Sequence, residues 1–220
     1  MPDELAIRPV ALPSGDVRLL QPRESAELPD AGGVEWAPIA PYWSVLWRSG
    51  VALARELDGM ALDGLHVVEL GCGLGLPAIV AARAGARVLA TDACPEALPL
   101  VARNAAANAA SVDTAAVDWT APHELVARAP FDLLLAADVL YEEGAAAALL
   151  ELLPQLGPEA WLADPGRPTA GPFLAEASRR WPVETRARGV VGIHKLRTGC
   201  PFPHTPSVSG APGNSEGSRA

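Results

Sequence analysis

The chain has 220 residues, half of them apolar, which is enough for one domain with trimmings and a sizeable buried core. Seventeen basic residues against 26 acidic ones leave a net charge of −9 with no Lys/Arg run, which argues against a nucleic-acid partner held through phosphate contacts. Cys72, Cys94 and Cys200 are too few for a disulfide framework, the N-terminus lacks the basic-then-apolar pattern of a secretory leader, and no apolar run is long enough to span a bilayer, so the sequence reads as a cytoplasmic protein with no membrane partner.

In chain order, residues 1–35 are punctuated by Pro2, Pro9, Pro13, Pro22 and Pro29 and read as an N-terminal extended segment with a short strand over 17–21. Residues 36–197 form the folded domain. A helix is predicted over 44–57, with Leu46, Gly50, Leu53 and Leu57 on one face. The run LHVVEL at 65–70 is a buried strand that ends in a glycine loop, followed by a helix over 76–84 and a second strand over 86–91. Pro95 starts a helix from the favoured first-turn position, running to 109. A weak strand over 112–117, a short helix over 122–129 and a strong buried strand over 131–137 follow. Next come a helix over 144–153 that Pro154 helps to end, a strand over 159–163 and a helix over 172–181. Two strands, 183–188 and 190–196, close the domain by pairing around Gly189. The Pro/Gly/Ser-rich stretch 198–220 has little to bury and reads as a disordered tail.

Strands that alternate with helices make a parallel sheet covered on both faces, and the two consecutive strands at the end add an antiparallel one near an edge. In such sheets a ligand sits beyond the C-terminal ends of the strands. The functional residues should therefore follow Leu70, Thr91, Val117, Ala137 and Ala163.

The loop after the first core strand reads Glu69-Leu70-Gly71-Cys72-Gly73-Leu74-Gly75. Glycines at a strand-to-helix turn let the backbone approach a ligand closely. The dinucleotide fingerprint G-x-G-x-x-G would place its third glycine where Leu76 stands, which favours a ligand without a pyrophosphate. Asp92, at the end of the second strand, is placed to bind a ribose diol. Alone, each glycine is a tight turn and Asp92 a helix cap. Together on one βαβ unit they point to a nucleoside.

The E-x-G-x-G-x-G loop followed by an acid at the second strand end resembles the class I S-adenosylmethionine-dependent methyltransferases, over roughly residues 41–196. The resemblance implies a Rossmann-like α/β fold, with a seven-stranded, mostly parallel sheet, one antiparallel strand in the edge region, and helices on both faces. It implies S-adenosyl-L-methionine as cofactor. Gly71, Gly73, Gly75 and Glu69 would lie beside its methionine moiety, Asp92 on its ribose, Asp118 on its adenine amine and Trp119 against its adenine ring.

Three further segments narrow the family: Pro41-Tyr42-Trp43-Ser44-Val45-Leu46-Trp47, Asp138-Val139-Leu140-Tyr141, and Asp164-Pro165-Gly166-Arg167-Pro168. They resemble the protein-lysine methyltransferases that carry a D-x-x-Y motif, a group some annotations label nicotinamide N-methylase-like. The electron transfer flavoprotein beta-subunit lysine methyltransferases are the most similar branch, although Leu140 stands where that branch usually has Phe. Enzymes that methylate DNA bases or glutamine carry [DN]-P-P-[YF] at this strand end, whereas Val139 and Leu140 replace those prolines here. The resemblance implies a protein substrate. Asp138 would hold the lysine amine, and Tyr141 would wall its channel. Trp47 would pack over the cofactor or line the channel, and Arg167 would close the site, bind an acidic substrate feature, or pair with a neighbouring acid. A small-molecule N-methyltransferase and a non-catalytic cofactor-binding scaffold stand as alternatives. Trp36, Trp43, Trp161 and Trp181 read as packing residues, Cys72 as a small loop filler, and Asn104 and Asn108 as capping or solvating a helix end. His66, His123, His194 and His204 show no metal-ligand spacing.

Overall fold

A computed structural model describes residues 5–23, 25 and 41–199. The chain opens with a hairpin. Strand β1 (Leu5–Val10) pairs antiparallel with β2 (Val17–Pro22), in the register Leu5↔Pro22 to Val10↔Val17. The strand expected over 17–21 is present, but the extended segment before it is its partner rather than loose wrapping. Pro9 offers no N–H to a ladder, which suits a strand with one unpaired edge. Val17 and Leu19, two residues apart and on one side of the hairpin, are fully buried in the core.

A single 3-10 turn at Tyr42–Ser44 leads into α1 (Arg48–Leu57). The helix expected from residue 44 starts four residues later, because Val45 and Trp47 are extended (φ −92° and −76°, ψ 134° and 143°). The rest of the domain alternates: β3 (His66–Leu70), α2 (Leu76–Arg83), β4 (Arg87–Asp92), α3 (Leu98–Ala107), β5 (Val112–Ala116), α4 (His123–Val126), β6 (Leu133–Ala137), α5 (Glu143–Leu156), β7 (Glu159–Asp164), α6 (Ala170–Arg180), β8 (Val183–Arg188) and β9 (Val191–Arg197). Two prolines sit differently from expectation. Pro99, not Pro95, occupies the first turn of α3. Pro154 lies inside α5, which continues to Leu156.

The sheet has seven strands in the order β5-β4-β3-β6-β7-β9-β8. Pairings from β5 to β7 are all parallel, and β9 runs antiparallel to both β7 and β8. The antiparallel strand is thus one place in from the edge, which is the Rossmann-like class I methyltransferase arrangement. Alternate residues of the central strands feed two cores. Val67, Leu133 and Leu135 face α1, α2 and α3, while Val68, Leu134 and Ala136 face α4, α5 and α6. The chain runs outward from β3 through β4 to β5, then returns across β3 to β6, so the topological switch point lies between β3 and β6.

Near the other edge, Lys195 on β9 lies opposite Trp161 of β7. Its Nζ is 3.4 Å from the Trp161 ring centroid and 3.4 Å from a Glu56 carboxylate oxygen. Thr198, expected to begin the tail, is buried and tied through its N–H to the Pro158 carbonyl and through its hydroxyl to that of Gly157. Residues 200–220 of that expected tail, with Cys200 and His204, lie outside the described residues, as does Trp36.

Candidate functional site

The glycine loop leaves β3 at the switch point and is packed hard from both sides. At Gly73 (φ +50°) a Cβ would stand 3.0 Å from the Trp43 carbonyl oxygen, and at Gly75 (φ +77°) it would stand 2.7 Å from Val101 Cγ1. Only glycine meets both the backbone angle and the space at these two positions. Gly75 also caps the N-terminus of α2 without a side chain to offer. Glu69 compensates from β3, where its Oε2 accepts the Ala78 N–H at 2.9 Å and satisfies one of the unpaired first-turn amides. Glu69 is 1% exposed, and burial pushes its pKa well above the ordinary carboxylate range.

Asp92 ends β4. Its Oδ2 accepts the Gly73 N–H and its Oδ1 the Cys94 N–H, both at 2.9 Å, so the acid fastens the middle of the loop. Asp118 follows β5 and is exposed. Its Oδ1 accepts the amide and hydroxyl of Thr120, each at 2.8 Å, and these bonds hold its carboxyl below the usual range. The half-buried Trp119 faces Gly71, 3.7 Å from where a Cβ there would stand.

Asp138 follows β6 with φ +60°, a left-handed conformation uncommon outside glycine and most tolerable for Asp and Asn. Its N–H continues the ladder to the Ala163 carbonyl at 2.9 Å, and its side chain is 4% exposed. Arg167 donates to Oδ1 from Nε at 2.8 Å, with Nη2 at 2.7 Å from the same oxygen, and the Ser49 hydroxyl donates to Oδ2 at 3.2 Å. Burial raises the Asp138 pKa, and Arg167 only partly offsets it. The Arg167 guanidinium also lies 5.3 Å from the Trp47 ring centroid, and the Trp47 indole N–H donates to the Tyr42 carbonyl at 3.1 Å. Asp164, at the end of β7, accepts the N–H groups of Gly166 and Arg167 on Oδ1. Tyr141, three residues past Asp138, is 48% exposed. Burial and the nearby carboxylates of Glu142, Asp92 and Asp138 push its pKa up, so the phenol stays protonated.

These residues surround one cavity of about 430 Å³. Ten residues expected from the sequence line it together: Trp47, Glu69, Gly71, Gly73, Gly75, Asp92, Asp118, Trp119, Asp138 and Tyr141. Arg167 does not line it. It reaches the site through Asp138, so of its three expected roles the pairing with a neighbouring acid is the one the geometry contains. Sequence reasoning missed Tyr42, Leu46 and Glu142 as lining residues and left Trp43 as packing, though it too lines the cavity. The run of aromatics before α1 was the available signal. Ser49 was missed as a partner of Asp138. Five carboxyl groups line the cavity (Glu69, Asp92, Asp118, Asp138 and Glu142), and among the described residues no Lys, Arg or His does. Such a lining suits a cationic ligand and opposes a pyrophosphate. Among the described residues, no group of three or more His, Cys, Asp or Glu could hold a metal ion.

The model of a family described as lysine methyltransferase matches residues 42–160, more than half of the chain. This chain belongs to the lysine methyltransferase family. The matched span takes in the aromatic turn, the glycine loop, Asp92, Asp118 and the Asp138–Tyr141 segment, and it stops before Arg167. Within the family the chain is similar to the electron transfer flavoprotein beta subunit lysine methyltransferase of Mus musculus, at 32% identity over 175 residues covering 71% of this chain and 62% of that one. It is also similar to the protein N-lysine methyltransferase METTL21A of Danio rerio, at 36% identity over 120 residues covering 51% of this chain and 55% of that one. The chain thus spans a little over half the length of the curated relatives it matches. Among solved structures, the 16S rRNA N2 G1207 methyltransferase RsmC of T. thermophilus, in complex with AdoMet and guanosine, matches with a TM-score of 0.64 at 17% identity, over 89% of this chain and 51% of that one. A TehB-like SAM-dependent methyltransferase from Corynebacterium glutamicum matches with a TM-score of 0.54 at 21% identity, over 66% of this chain and 86% of that one. At these identities the two structures carry the fold alone. Among the described residues, no helix is long and apolar enough to cross a membrane.

Proposed function

We propose that this protein transfers a methyl group from S-adenosylmethionine to the side-chain amine of a lysine in another protein. The observation that carries the reading is the cavity itself, in a chain of this family: one acid-lined space joins the glycine loop and Asp92 to Asp138 and Tyr141. The residues fit the cofactor. Backbone at Gly71–Gly75 lies open to the cavity, carboxylates stand at successive strand ends where a ribose and an adenine amine would present donors, and the negative lining suits a sulfonium. Bound there, S-adenosylmethionine supplies a methyl group activated for in-line transfer to a nitrogen lone pair.

The chain's own residues then have to present a neutral amine. A lysine has a reference pKa near 10.4, so deprotonation at pH 7 costs about 4.6 kcal/mol. A narrow, partly dry channel lowers that cost by disfavouring the ammonium ion. Asp138 attracts the incoming ammonium and then orients the amine through a hydrogen bond, while Arg167 and Ser49 fix the carboxylate in place. A carboxylate is a weak base for an amine, so the proton leaves to solvent at the mouth of the cavity. Tyr141 walls that mouth and donates a hydrogen bond. With the reacting groups positioned, orientation supplies most of the acceleration. The free thiols of Cys72 and Cys94 suit a reducing compartment such as the cytoplasm.

The test uses purified protein, methyl-tritiated S-adenosylmethionine and an extract of source cells lacking this protein. Label in acid-precipitable material that protease releases and nuclease does not supports the reading, and mass spectrometry then names the residue. The electron transfer flavoprotein beta subunit is the first purified substrate to try, since the mouse relative is named for it. Label confined to small molecules would replace the reading with a metabolite N-methyltransferase, and cofactor binding without turnover would replace it with a scaffold.

A further inference from the structure

Asn104 and Asn108 do not solvate the end of α3. One turn apart on the same face, they dock it against the hairpin. Asn104 is fully buried. Its Oδ1 accepts the Leu20 N–H at 2.6 Å, and its Nδ2 donates to the Leu20 carbonyl at 3.2 Å and to the Leu74 carbonyl at 3.1 Å. Asn108 repeats the pattern two residues along β2. Its Oδ1 accepts the Arg18 N–H at 2.8 Å, and its Nδ2 donates to the Arg18 carbonyl at 2.8 Å and to the Asn104 carbonyl at 2.7 Å. In an antiparallel pair alternate residues point their backbone groups to opposite edges. Arg18 and Leu20 face away from β1, so the two side-chain amides stand in for the strand that β2 lacks on that side.

Leu74 makes this more than a packing device. It lies inside the glycine loop and lines the cavity, so the amide that grips the hairpin also grips the loop. Both N–H groups of Asn104 and one lone pair of its oxygen are engaged, so one amide holds the hairpin and the loop at the same time. Val101, one turn earlier on α3, presses on the loop at Gly75. Val17 and Leu19 of the hairpin share the core that contains Leu74, Leu100 and Val101. Besides that shared core, one side chain hydrogen-bonds both the N-terminal hairpin and the cofactor loop, across 84 residues of sequence on one side and 30 on the other.

We infer that the hairpin and Asn104 act as a positioning element for the cofactor loop: docking of β2 on Asn104 holds the Leu74 carbonyl, and with it the loop, in the shape that binds the cofactor. This rests on the loop being the S-adenosylmethionine site. Linkage requires reciprocity, so cofactor binding at the loop must in turn tighten the hairpin, although the hairpin lines no part of the cavity.

The test has two arms on the full chain. The first needs no variant: hydrogen exchange of the wild-type amides with and without S-adenosylhomocysteine, after calorimetry has shown that it binds. Slowing of the Leu20 and Arg18 amides several-fold more than the β8 amides is the expected result. Protection confined to the loop overturns the inference, whereas failure of the wild type to bind at all overturns the cofactor reading instead. The second arm compares Asn104→Ala and Asn104→Asp with Asn108→Ala. The Asn108 variant loosens the hairpin by one clamp and leaves the Leu74 bond in place, so its KM for S-adenosylmethionine should rise clearly less than that of the Asn104 variants. The Asn104 variants should raise the KM for S-adenosylmethionine about tenfold at near-constant kcat. If the Asn104 and Asn108 variants are equally destabilised and neither shifts that KM, the pair only holds the fold together and the inference fails. Should the Asn104 variants not fold, the exchange experiment decides alone.

Discussion

Removing the Asp138 carboxylate should produce two losses, and a second substitution separates them. Asp138 and Arg167 form a pair with side-chain exposures of 4% and 15%. Taking away one member of a buried pair costs up to about 3–5 kcal/mol, and the Asp164 carboxylate, which also feels Arg167, holds the loss toward the lower end. Asp138→Asn is the gentlest way to do so, because Asn tolerates the left-handed backbone at this position. With a loss near 3 kcal/mol, a domain of this size should melt about 6–12 °C lower. In Asp138→Asn/Arg167→Gln both charges are gone, and stability should return to within about 1 kcal/mol of wild type, as replaced ion pairs commonly do. Arg167→Gln alone leaves a buried carboxyl whose folded pKa rises further. Its proton is bound in the folded state and lost on unfolding, so this variant should be less stable at pH 8 than at pH 5. Urea unfolding and methyl transfer would be measured on all four proteins, with S-adenosylhomocysteine binding as a check that the cofactor site is intact. The double variant should regain stability, bind the ligand and fail to transfer. If it regains stability and transfers methyl groups at the wild-type rate, Asp138 was a fold element and its placement at the lysine amine is wrong.

Asp92→Asn should weaken S-adenosylhomocysteine binding about 10- to 150-fold, the loss of a charged hydrogen bond, while the acceptor for the Gly73 amide persists; unchanged affinity by calorimetry would take Asp92 off the ribose. Gly75→Ala should lose about 2 kcal/mol or more in urea unfolding, since the left-handed backbone alone costs about 1–2 kcal/mol and the new Cβ meets Val101 at 2.7 Å; a wild-type midpoint would refute the packing argument. Burial raises the Glu69 pKa in the folded protein, whereas the unfolded carboxyl releases its proton above about pH 4.3, so between the two values folding takes up a proton and this contribution to stability falls as pH rises. Glu69→Gln removes that slope and should gain on wild type by up to about 1.4 kcal/mol per pH unit above pH 5; a difference that does not change with pH would mean that Glu69 is ionised when folded.

The parts legible in the sequence were those set by short-range chemistry. The run 65–70 and the run 131–137 are mostly apolar, without strict alternation, because both faces of a central parallel strand are covered, and both are central strands of the sheet. The glycine spacing at 71, 73 and 75 marked a tight strand-to-helix turn because all three take left-handed angles, and the acids at 92, 118 and 138 fell at strand ends, where the sheet opens onto the cavity. What escaped was set at long range. Nothing near Leu5–Val10 marks it as a strand until its partner at Val17–Pro22 is known. Asn104 and Asn108 look like ordinary helix-end residues because their partners lie 84 and 90 residues away. Arg167 and Ser49 reach Asp138 from 29 and 89 residues off, so the carboxylate's surroundings could not be read from the D-x-x-Y segment. The start of α1 was misplaced because the apolar period at 46–57 continues backward through extended residues that use their side chains for the cavity wall.

Lys195 is the sole lysine among the 220 residues, and its ammonium is clasped between an indole face and a carboxylate, with the side chain only 21% exposed. On the proposed function, a catalyst of lysine side chains would thus offer almost none of its own. Released amines on its surface cannot compete with those of a target, and its own band should stay blank on an autoradiograph even at high enzyme concentration. The same scarcity leaves amine-reactive dyes and crosslinkers little besides an α-amine to react with, so in a complex most of the label falls on whatever is bound.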